Sequence, residues 1–365
     1  MLKDGIRRFG CELASFKDLT RERAQGKSGV HGDMKPATRA TSTRIARPRI
    51  IVAIAFGLAF GAGVAHAKDK KPSVKGGFVT TSDGVKIHYV ESGRLATTPS
   101  AQVGNPMPAG AVIEKGEIGV SAGHKFPSIL FVPGWTMPAW IWQKQIDYFS
   151  RDYRVVAMDP RSQGDSSQTN DGLYPAARAR DIKAVVDQLH LAPVVIVSWS
   201  MAVVETMAYV DQFGTGDFAG LVLVDNDAGG RGMGDADQDF GMLKGILEDR
   251  QNAADGFIRK INFHKPQPED YLQKLIQASL RVPTNTAVAL LVGYFVSDYR
   301  PVLPKIDKPT VICVEKSSYM STIVDMQSKI KGSKLEVFEG DGHALFVDDA
   351  DKFNALVEDF LLDLK

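Results

Sequence analysis

Cysteine is nearly missing from this chain: Cys11 and Cys313 are the two present among 365 residues. With so few thiols there is no disulfide framework, and stability has to come from buried apolar surface. Cys313 falls inside the apolar run 311–314, the setting of a small core residue and not of a reactive thiolate. No Cys/His cluster has metal-ligand spacing, and no glycine-rich phosphate loop follows a strand pattern, so neither a metal nor a cofactor is implied. Repeats and low-complexity tracts are also lacking, which leaves ordinary globular material.

Long apolar runs are lacking with one exception. Residues 50–64 form a run of about 15 apolar residues, short of the roughly 20 that a spanning helix needs. Arg44, Arg47 and Arg49 precede it, and Ala65-His66-Ala67 closes it. This is the pattern of a secretory signal peptide cut after Ala67, with an uncleaved anchor as the alternative. A periplasmic or secreted protein is therefore expected, free of the membrane once the signal is removed. Residues 1–33 read as an upstream extension from an over-long reading frame, because Met34 would start a signal of normal length. Without residues 1–67, Lys and Arg fall from 44 to 32 and Asp and Glu from 43 to 38, a net charge near −6. That balance argues against nucleic acid or an anionic membrane as a partner.

What is present is a regular alternation. Residues 78–81 and 85–90 read as an opening hairpin across Ser82-Asp83-Gly84. Residues 93–126 are rich in Gly, Pro, Ala and Ser, and read as a surface excursion with a short strand at 111–113. Buried strands are expected at 128–132, 154–158, 194–197 and 220–224, with helices around 140–149 and 178–189 between them. Strands alternating with helices make a mostly parallel sheet flanked by helices. The alternation stops over 228–300, where helical patches at 242–247, 271–280 and 287–294 read as an inserted helical cap. It resumes with strands at 309–314 and 334–338 and a closing helix carrying Phe353, Leu356, Val357, Phe360, Leu361 and Leu364. The expected organisation is thus a leader over 1–67, a core over 68–227, a cap over 228–300 and a second core part over 301–365.

The chemistry centres on 194–203. An apolar strand leads into Ser198-Trp199-Ser200-Met201-Ala202, and a helix follows. A strand–serine–helix junction lifts the hydroxyl above the sheet and aims the helix's N-terminal N–H groups at whatever the serine attacks. The turn needs small residues two before and two after the serine; Ser198 and Ala202 are small, although glycine is usual. A serine hydroxyl is a poor nucleophile without a general base and a carboxylate to orient that base. Of the five histidines after Ala67, His343 lies on a glycine-rich loop between the last strand and the last helix, at the carboxyl end of the sheet where Ser200 also emerges.

These features, in order, resemble the α/β-hydrolase superfamily, in its capped esterase, lactonase and cofactor-free haloperoxidase-like branch. Val132-Pro133-Gly134-Trp135 resembles its oxyanion loop, with proline in place of histidine. The stretch from Asp159 to Ser166 resembles its Asp-x-Arg-Gly-x-Gly-x-Ser loop. Ser198 to Ala202 matches the nucleophile elbow, and Gly342-His343 with Phe346 matches the terminal Gly-His-x-x-Phe. The resemblance implies Ser200 as nucleophile, His343 as base, and the backbone N–H groups of Trp135 and Met201 as oxyanion hole. It implies Trp135 and Trp199 as substrate-lining side chains. The family's usual acid position after the strand 311–314 holds Ser317 or Ser318 instead. Asp225, at the end of the preceding strand, is the candidate acid, with Asp227 and Glu315 as alternatives or no functioning acid at all. The expected activity is cleavage of a carboxylic ester or lactone, with a small-molecule ester-like substrate as partner. Perhydrolase, haloperoxidase-like or lyase chemistry, or a lapsed hydrolase that only binds, stand as alternatives. A serine nucleophile excludes the alkyl–aspartate chemistry of dehalogenases and epoxide hydrolases.

Overall fold

Alternating side chains in the first described segment give a hairpin: β1 (Lys75–Thr80) and β2 (Lys86–Gly93) pair antiparallel, with Phe78 opposite His88. The computed structural model of the chain describes residues 74–93, 127–229, 236–316 and 319–364. The leader, its cleavage point, the strand expected at 111–113 and Ser317 lie outside the described residues.

β2 pairs antiparallel with β4 (Arg154–Met158), and every later pairing is parallel: β4 with β3 (Ser128–Val132), β3 with β5 (Val194–Trp199), β5 with β6 (Phe218–Val224), β6 with β7 (Thr310–Glu315), and β7 with β8 (Lys334–Phe338). The sheet has eight strands in the order β1-β2-β4-β3-β5-β6-β7-β8. β3 and β5 are buried at every position, which is why their sequences are continuous apolar runs. Period two then divides β5 between two layers. Val195, Val197 and Trp199 face a layer with Trp142, Phe346 and Phe353, whereas Val194 and Ile196 face Ile182, Val186, Val203 and Met207.

Helices fill the crossovers: α1 (Gln143–Phe149), α2 (Pro175–Gln188) and α3 (Met201–Phe213). α2 opens on Pro175, where the missing N–H costs nothing. Between β6 and β7 the described chain is helical: α4 (Ala236–Glu248), α5 (Arg250–Gly256), α6 (Glu269–Leu280) and α7 (Thr284–Phe295). A π-turn at Phe257–Asn262 continues α5. The patches expected at 242–247, 271–280 and 287–294 lie in α4, α6 and α7. α5 has no counterpart among the expectations, because its sequence is short and polar. α8 (Met320–Lys329) was likewise not anticipated between β7 and β8: of its side chains Ile323 and Met326 are buried, too sparse a stripe to register. A last short helix α9 (Leu345–Asp348) and the closing α10 (Ala350–Asp363) complete the chain. Among the described residues no single helix is long and apolar enough to cross a membrane.

The loop after β4 is built on Asp159. Its carboxylate accepts from the backbone N–H groups of Ala139 (2.5 Å) and Asp165 (3.0 Å) and pairs with His88 Nδ1 (2.7 Å). A Cβ on Gly164 would fall 2.0 Å from that carboxylate, so the loop's glycine is a packing requirement. The hydrogen bond to Asp159 holds the His88 pKa above its ordinary 6.5, against the opposing effect of burial. A raised folded-state pKa gives stability that is fully present below about 6.5 and is lost as pH rises through the raised value. In urea titrations the stability advantage of the wild type over His88→Gln is therefore expected to be largest near pH 6 and to shrink towards pH 9.

Candidate active site

Ser200 and Asp225 end two neighbouring strands at the same level. Trp199 is the register partner of Val224, and the next residue on each strand carries the functional side chain. The Ser200 N–H donates to Val224 O (2.9 Å), and the Asp225 N–H donates to Cys313 O (2.8 Å). Both residues have positive φ, 58° at Ser200 and 52° at Asp225, a region that ordinary side chains enter at a cost of about 1–3 kcal/mol. The bend at Ser200 is possible because Ser198 and Ala202, both fully buried, leave room where larger side chains would collide.

His343 bridges the two. Its Nε2 lies 2.7 Å from Ser200 Oγ and its Nδ1 lies 2.6 Å from Asp225 Oδ2. Asp225 is fully buried. Its other oxygen accepts from the Glu315 N–H and the Tyr319 hydroxyl, both at 2.9 Å. Tyr319 thus reaches Asp225 from just after the turn at which the family's usual acid would stand. Asp227 accepts from the Gly229 N–H (2.9 Å) within its own turn, and Glu315 meets Asp225 through its backbone. Of the three candidate acids, Asp225 is the one on the histidine ring.

The histidine loop is fixed from the helical segment. The His343 N–H donates to Ile261 O (2.9 Å) and the Ala344 N–H to Asn262 O (2.8 Å), carbonyls that the π-turn after α5 presents. A Cβ on Gly342 would fall 2.6 Å from Asn262 O, so this approach requires glycine. Asp348 ties the same two pieces together, accepting from the N–H groups of Gly342 (2.9 Å) and His264 (2.8 Å).

Trp199 does not face a substrate. Its side chain is 1% exposed, its indole N–H donates to His343 O (2.8 Å), and its ring packs on Phe346. Period two along β5 turns it into the layer behind the histidine, which corrects the expectation that it lines the pocket. Trp135 does lie on the site's side: it packs with Met201, Val204, Ile246 and Leu290 in a separate apolar cluster, edge-on to Phe257 at 5.4 Å between ring centroids. Phe257 in turn stands 6.2 Å from the His343 ring. The indole N–H of Trp135 donates to Ala287 O (2.8 Å), so its orientation is set by α7.

The loop carrying Trp135 presses on the serine. A Cβ on Gly134 would fall 2.7 Å from Ser200 Cβ, so glycine is needed there. Met201 opens α3, and its N–H therefore has no partner within the helix. Gln163, fully buried, holds the Gly134–Met137 loop by three bonds: Nε2 donates to Gly134 O and Met137 O (both 2.9 Å), and Oε1 accepts from the Thr136 N–H (3.1 Å). Arg178 Nη2 also donates to Oε1 (3.2 Å), while its Nε pairs with Glu205 on α3 (2.5 Å). Burial pushes the Glu205 pKa up and Arg178 opposes it. Gln163 carries no signal in the sequence, because the Asp-x-Arg-Gly-x-Gly-x-Ser pattern leaves its position unspecified. The burial of Cys313 pushes its thiol up, consistent with a core residue.

The chain matches the model of the alpha/beta hydrolase family over residues 129–356, and it belongs to that family. It is 29% identical over 255 residues to a putative non-heme chloroperoxidase of Synechocystis sp., covering 64% of this chain and 90% of the relative. It is 27% identical over 306 residues to a non-heme haloperoxidase of Rhodococcus erythropolis, covering 78% and 98%. Among solved structures, an esterase from Exiguobacterium antarcticum superposes with a TM-score of 0.63 at 22% identity, covering 78% of this chain and 98% of that one. A bromoperoxidase from Bacillus anthracis gives 0.65 at 19% identity, covering 79% and 99%. The esterase and haloperoxidase branch expected from the motifs is the one these relatives occupy.

Removing the three loop bonds of Gln163 is expected to let the Gly134–Met137 loop drift. Gln163→Leu should lower kcat for a p-nitrophenyl ester by ~10- to 100-fold with a smaller change in KM, since misplacement of about 1 Å costs on that scale. Steady-state kinetics on the purified variant checks this.

Proposed function

We propose that the chain is an exported serine hydrolase that cleaves a carboxylic ester or lactone through an acyl-enzyme on Ser200. The observation that carries this reading is the His343 ring, hydrogen-bonded to Ser200 Oγ at one nitrogen and to Asp225 at the other. In this reading His343 Nε2 takes the hydroxyl proton as the serine attacks the acyl carbon, then returns it to the leaving alcohol. Asp225 orients the ring and stabilises the imidazolium that forms. The backbone N–H groups of Trp135 and Met201 receive the negative charge of the tetrahedral intermediate, usually the largest single contribution to such catalysis. A water activated by His343 then releases the acid. Export rests on the leader pattern over residues 34–67, and the helices between β6 and β7 serve as a cap.

A second reading shares the acyl-enzyme. Relatives include a bifunctional esterase/perhydrolase of Acinetobacter calcoaceticus, 31% identical over 149 residues. Hydrogen peroxide in place of water at the deacylation step would give a peracid, with Ser200, His343 and Asp225 in unchanged roles. The lapsed-hydrolase reading loses its main support, because a carboxylate does stand on the far side of the His343 ring.

With p-nitrophenyl acetate or butyrate, the wild type is expected to show a burst of p-nitrophenol stoichiometric with enzyme, followed by steady turnover. Ser200→Ala should lose the burst and lower kcat by on the order of 10⁴- to 10⁶-fold. A Ser200→Ala variant that keeps wild-type turnover would rule the acyl-enzyme out.

A further inference from the structure

The end of β7 and the start of α8 converge on the carboxylate of Asp225. In a continued parallel ladder the Glu315 N–H would meet the Asp225 carbonyl. The left-handed turn at Asp225 (φ 52°) takes its backbone out of that register, and the Glu315 N–H donates to Asp225 Oδ1 instead (2.9 Å). One carboxylate oxygen thus occupies a place in the sheet's own ladder. The Asp225 N–H keeps its bond to Cys313 O (2.8 Å), so the residue is anchored to β7 through both backbone and side chain.

Tyr319 supplies a second donor to the same oxygen. Its hydroxyl lies 2.9 Å from Asp225 Oδ1, and since a carboxylate only accepts, the phenol donates. Tyr319 immediately precedes α8, and its carbonyl accepts from the N–H (3.0 Å) and hydroxyl (2.8 Å) of Thr322 in the first turn. α8 is held in turn by Ile323 and Met326, buried in the layer that contains Leu303, Ile312 and Val314, and Tyr319 packs against the same layer. The fold, through α8, therefore places the phenol.

The Asp225 side chain is fully buried. Shut off from solvent, a carboxylate depends on the donors the protein gives it, and bonds to a charged acceptor are the strong ones. Oδ2 meets His343 Nδ1 at 2.6 Å. Rotation about the Cβ–Cγ bond moves both oxygens together, so a donor that fixes Oδ1 also aims Oδ2 at the ring.

We propose that Tyr319 is a positioning residue: its hydroxyl holds the Asp225 carboxylate in the orientation that meets His343 Nδ1. The segment after β7, where the family usually carries the acid, then steers the acid instead of supplying it. The proposal rests on the serine-hydrolase reading for the reaction. Tyr319 touches neither substrate nor the reacting atoms, and acts through Asp225 alone.

The test is a double-mutant cycle on the rate of fluorophosphonate labelling, with wild type, Tyr319→Phe, Asp225→Asn and the double variant, the slow variants being followed for days at excess probe. Tyr319→Phe removes the hydroxyl and keeps the ring and its packing, and melting temperatures verify that each variant is folded. Tyr319→Phe should slow labelling by ~10- to 100-fold, the range of hydrogen bonds to charged groups. In the Asp225→Asn background the same change should cost less than about 3-fold, because the group it acts through is already lost. Equal losses in both backgrounds, or no loss in the first, overturn the proposal. If wild type takes no label, the hydrolase reading falls and proton NMR still tests the positioning. The imidazole proton between His343 Nδ1 and Asp225 is strongly deshielded, and its loss in Asp225→Asn separates it from the corresponding proton of the His88–Asp159 pair. Tyr319→Phe should shift or broaden that resonance. An unaltered resonance in Tyr319→Phe, or none in wild type, overturns the proposal.

Discussion

Two side chains at the ends of adjacent parallel strands depend on a backbone that turns left-handed at each of them. Ser200 and Asp225 share this conformation, and both give their N–H to a carbonyl of the next strand, at Val224 and Cys313. The sheet therefore sets the separation of the Ser200 hydroxyl and the Asp225 carboxylate before any loop is considered. One imidazole spans the gap, with 2.7 Å to the hydroxyl and 2.6 Å to the carboxylate. The strain is tolerable because β5 and β6 are buried strands within the sheet, and packing there over-determines the ends of both strands.

Everything else near the site reads as support for that span. The π-turn after α5 supplies the carbonyls that hold the histidine loop, and Gly342 allows the approach. Trp199 braces the same loop from beneath. Tyr319 and the Glu315 N–H occupy the second oxygen of Asp225, leaving the first for the ring. Gln163 fixes the loop that meets Ser200 and is joined, through Arg178, to Glu205 on the helix that follows the serine. A fully satisfied polar side chain such as Gln163 rigidifies its surroundings.

Much of this was legible in the sequence, for identifiable reasons. Continuous apolar runs of strand length bounded by turn residues read as buried strands, so the places of β3 to β7 along the chain were legible. Ser200 and His343 were found because each sits at a strand end in a glycine- or small-residue context that few other functions require. Asp225 was one candidate among three; carboxylates at strand ends look alike in sequence, and only the third dimension shows which one meets the ring. Trp199 misled because proximity to Ser200 along the chain ignores the period of two that turns it into the core. α5, its π-turn and α8 gave no usable pattern, since short polar helices owe their existence to tertiary contacts. Gln163 and Tyr319 gave none either: each matters through partners distant in sequence.

The central claim is that Asp225, in place of a carboxylate after β7, activates His343 towards Ser200. Phosphonylation by a fluorophosphonate tests it most directly, because it reads nucleophile activation without knowledge of the substrate. The account predicts stoichiometric labelling of the wild type, mapped to Ser200 by mass spectrometry, with Asp225→Asn slowed by on the order of 10²- to 10⁴-fold. Labelling of Asp225→Asn at the wild-type rate, or a wild type that takes no label at Ser200, would contradict it.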